Sequence, residues 1–65
     1  MWIEIIEDEN EKHLINLDKV STIIKDNDGD ILGIRVVWDD GDDDHYDTSY
    51  ERIATELREA NVLKW

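Results

Sequence analysis

Ile31-Leu32-Gly33-Ile34-Arg35-Val36-Val37-Trp38-Asp39-Asp40-Gly41-Asp42-Asp43-Asp44-His45-Tyr46-Asp47-Thr48-Ser49-Tyr50-Glu51 is the stretch on which the fold turns. Ile31 to Trp38 is a β-branched and aromatic run between turn residues, the pattern of a long central strand. Asp40-Gly41 follows at once. An Asp-Gly pair is a strong hairpin signal, because a type I′ turn needs φ > 0 at both central positions and Gly reaches that region without strain. Such a turn folds Asp42 to Asp47 back onto the central run. That segment has little intrinsic strand propensity, so it reads as an edge strand held by register, its charge discouraging further pairing. Thr48-Ser49-Tyr50-Glu51 then has the form of a capping box, with Thr48 as N-cap and Glu51 reaching back. Tyr50, Ile53, Ala54 and Leu57 recur at i, i+3, i+4 and i+7 and give the helix one apolar stripe, while Arg52 and Glu56 pair on its outer side. Asn61 closes the helix and leaves Val62-Leu63-Lys64-Trp65 as an apolar tail.

Upstream, Asp28-Gly29 is the second hairpin signal, and the β-branched Val20-Ser21-Thr22-Ile23-Ile24 before it is a third strand. An Asp18-Lys19 corner joins this to His13–Leu17, which pairs across the polar Asp8-Glu9-Asn10 turn with the roughly alternating Trp2–Glu7. The expected fold is therefore α+β: five short antiparallel strands curled toward a small barrel, followed by one C-terminal helix, in a single domain spanning residues 1–65. Ile3, Ile5, Ile15, Leu17, Val20, Ile23, Ile34, Val36, Trp38, Tyr46, Ile53 and Leu57 are the expected core.

Ile15-Asn16-Leu17-Asp18-Lys19-Val20-Ser21-Thr22-Ile23, an Asp-Gly hairpin and Asp47-Thr48-Ser49-Tyr50-Glu51-Arg52-Ile53 occur in that order. Together they resemble the small FlbD-like proteins of bacteria and their phages, with their hydrophobic-Asn-x-Asp corner and Ser-x-Glu-x-Ile helix start. The likeness runs from about Ile3 to Leu57, and its motifs fix a corner and a cap. It implies an accessory or regulatory protein that binds its partner through the helix or the apolar tail.

The chain has 65 residues with 18 Asp and Glu against 7 Lys and Arg, a net charge of −11. It contains no Cys and no Pro, so thiolate metal sites, thiol nucleophiles and a disulfide framework are excluded. Neither a membrane-spanning apolar run nor a signal-peptide pattern is present, and the expected location is cytoplasmic, the host cytoplasm if the protein is phage-encoded. The hydrophobic fraction of 40% suffices for a core, although domains this small are marginal and gain from an oligomer or a partner.

The charge is uneven. Asp26, Asp28, Asp30, Asp39, Asp40, Asp42, Asp43, Asp44 and Asp47 stand against the single base Arg35, whereas residues 48–65 are neutral. Direct contact with nucleic acid or an anionic membrane is disfavoured, and the natural counterpart is the basic surface of a nucleic-acid-binding protein. Carboxylates set along hairpins would imitate phosphates, which lie at one charge per ~1.7 Å along a duplex. The candidate partner-binding residues are Asp28, Asp30, Asp39, Asp40, Asp42, Asp43, Asp44 and Asp47. The expected function is that of a phage-type inhibitor of a host nucleic-acid-binding defence protein; the bland reading of the same acids is a solvated, aggregation-resistant surface.

Other chemistries find less support. Asp26-Asn27-Asp28-Gly29-Asp30 opens like a calcium loop, but Ile31 and Val37 occupy the sixth and twelfth positions, where Gly and Glu are required. Asp43, His45 and Asp47 share a strand face and could chelate a divalent ion, but with one His and no fourth ligand in view no metal site is assigned. Asp43 and Asp44 point to opposite faces and do not converge as an acid and base must, and His13 reads as a half-buried strand residue, so no enzymatic activity and no cofactor are expected. Trp65, in the apolar tail, is a further candidate contact, for a partner pocket or a homodimer.

Overall fold

A computed structural model describes residues 1–60. Its strands are β1 (Trp2–Ile6), β2 (Lys12–Asn16), β3 (Val20–Lys25), β4 (Ile34–Trp38) and β5 (Asp43–Tyr46), followed by helix α1 (Tyr50–Glu59). The α+β order is the expected one. The barrel is not: β1 and β2 form one antiparallel sheet, β3-β4-β5 form another, and both are open. The reason lies at the Asp18-Lys19 corner, where Leu17–Lys19 makes a single 3-10 turn capped by the Asn16 side chain, which accepts the Asp18 N–H at 3.1 Å. That turn delivers β3 to β4 instead of to β2, so side chains and not a continuous ladder join the two sheets.

Both Asp-Gly turns form, each displaced from the two-residue type I′ geometry centred on Asp-Gly. At the β4–β5 connection the Trp38 carbonyl accepts from Gly41 N at 3.0 Å and Trp38 N donates to the Asp42 carbonyl at 2.8 Å. The loop is thus the three residues Asp39-Asp40-Gly41, closed by Gly41 in the left-handed region at φ 94°. In the β3–β4 connection Asp28 and Ile31 exchange both backbone hydrogen bonds at 2.9 Å, so the turn centres on Gly29-Asp30 with Gly29 at φ 59°.

The central strand is shorter than Ile31–Trp38. Asp26 N still donates to the Gly33 carbonyl at 2.9 Å, but the Asn27 side chain takes the Gly33 N–H at 3.1 Å and ends the ladder there. Ile31 and Leu32 consequently lie in the hairpin tip, 54% and 49% exposed. A bulge at Ser21, between the pairs Val20↔Trp38 and Thr22↔Val37, bends β3.

Ile3, Ile5, Ile15, Ile34, Val36, Ile53 and Leu57 form the buried cluster, with Leu17, Val20, Ile23, Trp38, Tyr46 and Tyr50 packed against it. Every expected core residue is in this set. Period two places Ile3, Ile5 and Ile15 on one face of the first sheet and Ile34 and Val36 on one face of the second, and the helix stripe covers both.

The helix begins one residue later than the expected cap implies. Ser49, at φ −75° and ψ 126°, is the N-cap, and its Oγ accepts the Arg52 N–H at 3.3 Å. Thr48 is 7% exposed and so is turned into the protein, away from the capping position. Arg52 and Glu56 pair at 3.7 Å as expected. Asn61 and the Val62–Trp65 tail lie outside the described residues. Among the described residues no helix is long and apolar enough to cross a membrane.

Candidate functional site

Strand geometry divides the acids between the two ends of β4. Asp39, Asp40 and Asp42 occupy the loop that leaves its C-terminal end, and the Asp40 carboxylate is tied locally by accepting the Asp42 N–H at 2.9 Å. Asp28 and Asp30 sit in the hairpin tip that precedes its N-terminal end, and Asp47 follows β5 on that same side because Tyr46 pairs with Ile34. Five strand residues, about 15 Å, separate the two groups. Among the described residues, Asp28, Asp30, Asp39, Asp40 and Asp42 make no ion pair with Lys or Arg.

Asp43 and Asp44 lie between these poles on opposite faces of β5. Asp43 stands 3.8 Å from Arg35 on the outer face, and Asp44 accepts the Trp38 indole N–H at 2.8 Å on the other. The eight carboxylates therefore do not share one face. They form two exposed poles bridged by Asp43 and Asp44, and a cleft lined by Lys19, Trp38, Asp39 and Asp40 opens beside the C-terminal pole.

The N-terminal pole is built around His45. Its Nε2 lies 3.1 Å from the Asp26 carbonyl and 3.9 Å from the Asp26 carboxylate, and its Nδ1 lies 3.5 Å from Asp47. Gly33 makes this packing possible, since a Cβ there would run into the Asp26 carbonyl and the imidazole. Asp43, His45 and Asp47 do share a strand face, but Asp43 is drawn to Arg35 and the three do not gather around one point among the described residues.

A different group does gather. Glu7, Glu11 and His13, at the turn end of the β1–β2 hairpin, bring one ligand atom each within 4.8 Å of the others. Glu7 Oε1 lies 2.7 Å from His13 Nε2, and Glu7 Oε2 accepts the Asp47 N–H at 3.0 Å, fastening the first sheet to the start of the helix connection. That N–H, with His13 beside it, holds the Glu7 carboxyl below its ordinary value of 4.5, against the upward push of partial burial. The His13 ring packs on Tyr46 at 5.0 Å between centroids, as suits the half-buried strand residue its position implied. Burial raises the Tyr46 phenol, and the Asp44 and Glu7 carboxylates add to the effect.

Nothing in the local pattern marks this trio, because Glu7-Asp8-Glu9-Asn10-Glu11 reads as a charged turn. The hairpin register does mark it: the Ile6↔Lys12 pair sets Glu7 opposite Glu11, and His13 shares the face of Glu11 two residues on. Lys25 Nζ meets Glu51 at 2.8 Å and holds that exposed carboxyl below its ordinary value, joining β3 to the first turn of the helix. Trp65 lies outside the described residues. The motif residues of the FlbD-like resemblance occupy the 3-10 corner and the helix cap, both structural positions. No family model, curated protein or solved structure matches the chain.

Proposed function

We propose that the protein is a non-enzymatic acidic binding module whose two carboxylate poles engage the basic, nucleic-acid-binding surface of a partner, in the manner of a phage-type inhibitor that imitates nucleic acid. The observation that carries this reading is the placement of the acids from Asp26 to Asp47. A single base, Arg35, lies among them, and it stands beside Asp43 alone of these acids. Exposed like charges at both ends of a short strand raise the local potential and attract a cationic surface from a distance. Competitive exclusion of the nucleic acid is the mechanism, with electrostatic steering speeding association and salt slowing it.

The test is capture from a nuclease-treated bacterial lysate on the immobilised protein, eluted with a salt gradient. A nucleic-acid-binding protein released at moderate salt, and displaced by added DNA or RNA, is the expected result. A salt-resistant partner without affinity for nucleic acid overturns the reading. Such a partner, lost on deleting Val62 to Trp65 and kept when Asp42, Asp43 and Asp44 become Asn, points instead to an accessory protein that binds through an apolar contact.

A further inference from the structure

We propose that Glu7, Glu11 and His13 form a binding site for a Zn2+-class divalent transition-metal ion. The hairpin places them. Glu7 N donates to the Glu11 carbonyl at 2.8 Å, extending the pairing one step beyond Ile6↔Lys12, so the two glutamates face each other at the turn end. His13 projects from the same face.

The distances suit the ion. Metal bonds of about 2.0–2.2 Å to nitrogen and oxygen set the ligand atoms of a tetrahedral site roughly 3.4 Å apart. The His13 Nε2 separations, 2.7 Å to Glu7 Oε1 and 3.9 Å to Glu11 Oε2, bracket that value. In the metal-bound form the proton that a neutral imidazole carries sits on Nδ1, leaving the Nε2 lone pair for the metal.

Two of the three ligands are already held by groups that do not compete for the ion. The second Glu7 oxygen is engaged by the Asp47 N–H at 3.0 Å, and the His13 ring rests on Tyr46. Outer contacts of this kind orient ligands and raise affinity. Asp8 and Glu9 add negative charge in the same turn, against Lys12 alone. The imidazole selects transition metals over Mg2+ and Ca2+, which prefer oxygen, and three protein ligands leave an outward position for water. This is the one such group among the described residues.

The inference does not depend on the acidic poles, and its test does not involve them. Zn2+ is titrated into the full chain at neutral pH by calorimetry, with Mg2+ as control, and the histidine ring resonances are followed by NMR. One equivalent of Zn2+ should bind saturably and shift the His13 resonances while those of His45 stay in place. Glu11→Gln alters an exposed side chain and preserves the hairpin, so it should keep the fold and weaken Zn2+ by roughly tenfold or more. His13→Gln should weaken it at least as much. Unchanged affinity in Glu11→Gln, or a response centred on His45, would mean diffuse association with an acidic surface and overturns the proposal.

Discussion

Glu7 and Asp47, 40 residues apart, are joined by a hydrogen bond of 3.0 Å in which a β1–β2 turn carboxylate receives the backbone N–H that follows β5. This bond, with the packing of the His13 ring on Tyr46, links two sheets that share no ladder. Glu7 is 22% exposed, so the bond is only partly screened. Glu7→Gln keeps an acceptor but removes the charge, and we expect a loss of about 1–2 kcal/mol by urea denaturation at pH 7. Glu7→Ala, which removes the acceptor too, should lose more.

The same bond sets a pH dependence. The folded Glu7 carboxyl lies below 4.5, so its contribution is fully present above the unfolded value and disappears as pH falls through the folded one. In metal-free buffer the stability gap between wild type and Glu7→Gln should close as pH falls through the folded Glu7 value, below about pH 4.5. A gap that persists once the Glu7 carboxyl is protonated would contradict the assignment.

Gly33 and Gly29 should respond differently to Ala. At Gly33 the new methyl meets the Asp26 carbonyl and the His45 ring, whereas at Gly29 it meets open space but sits at φ 59°. Overpacking against backbone costs about 1–3 kcal/mol and a single left-handed residue about 1 kcal/mol, so Gly33→Ala should be the less stable variant in thermal melts.

The cap assignment is open to a paired substitution. Ser49→Ala removes the acceptor for Arg52 N and should cost about 1 kcal/mol. Thr48→Val, which retains the buried shape, should cost less; the reverse order would return the N-cap to Thr48.

Replacing Asp42, Asp43 and Asp44 together with Asn should leave the fold intact. The amide that replaces the Asp44 carboxylate would still offer an oxygen to the Trp38 indole, and the Arg35–Asp43 pair is exposed and weak at 3.8 Å. A melting temperature equal to or above that of wild type, together with a reduced salt dependence of partner binding, is expected.

Local pattern was enough to place the strands, the helix and the core. Ile3, Ile5 and Ile15 alternate, Ile34 and Val36 do likewise, and Ile53, Ala54 and Leu57 follow the helical period, so each burying face was legible without knowledge of its partner. Both Asp-Gly turns could be located, although not their frame. Whether the loop centres on Gly29-Asp30 or spans Asp39-Asp40-Gly41 depends on which backbone groups find ladder partners, and a single segment does not contain that information. The Ile31–Trp38 run shows the same limit at its start, where Asn27 takes the Gly33 N–H and leaves Ile31 exposed in the hairpin tip.

The charge of the chain was likewise set by composition, while its arrangement was decided in three dimensions. Register put Asp43 beside Arg35 and Asp44 beneath the Trp38 indole, and β4 held the remaining acids in two poles. The turn at Leu17–Lys19 opened the barrel into two sheets, and the Glu7 link to Asp47 and its approach to His13 arose when those sheets packed and the first hairpin took its register. Periodicity is a property of neighbours along the chain and survives in the sequence; a contact between residues 40 apart exists only once two buried faces have chosen each other.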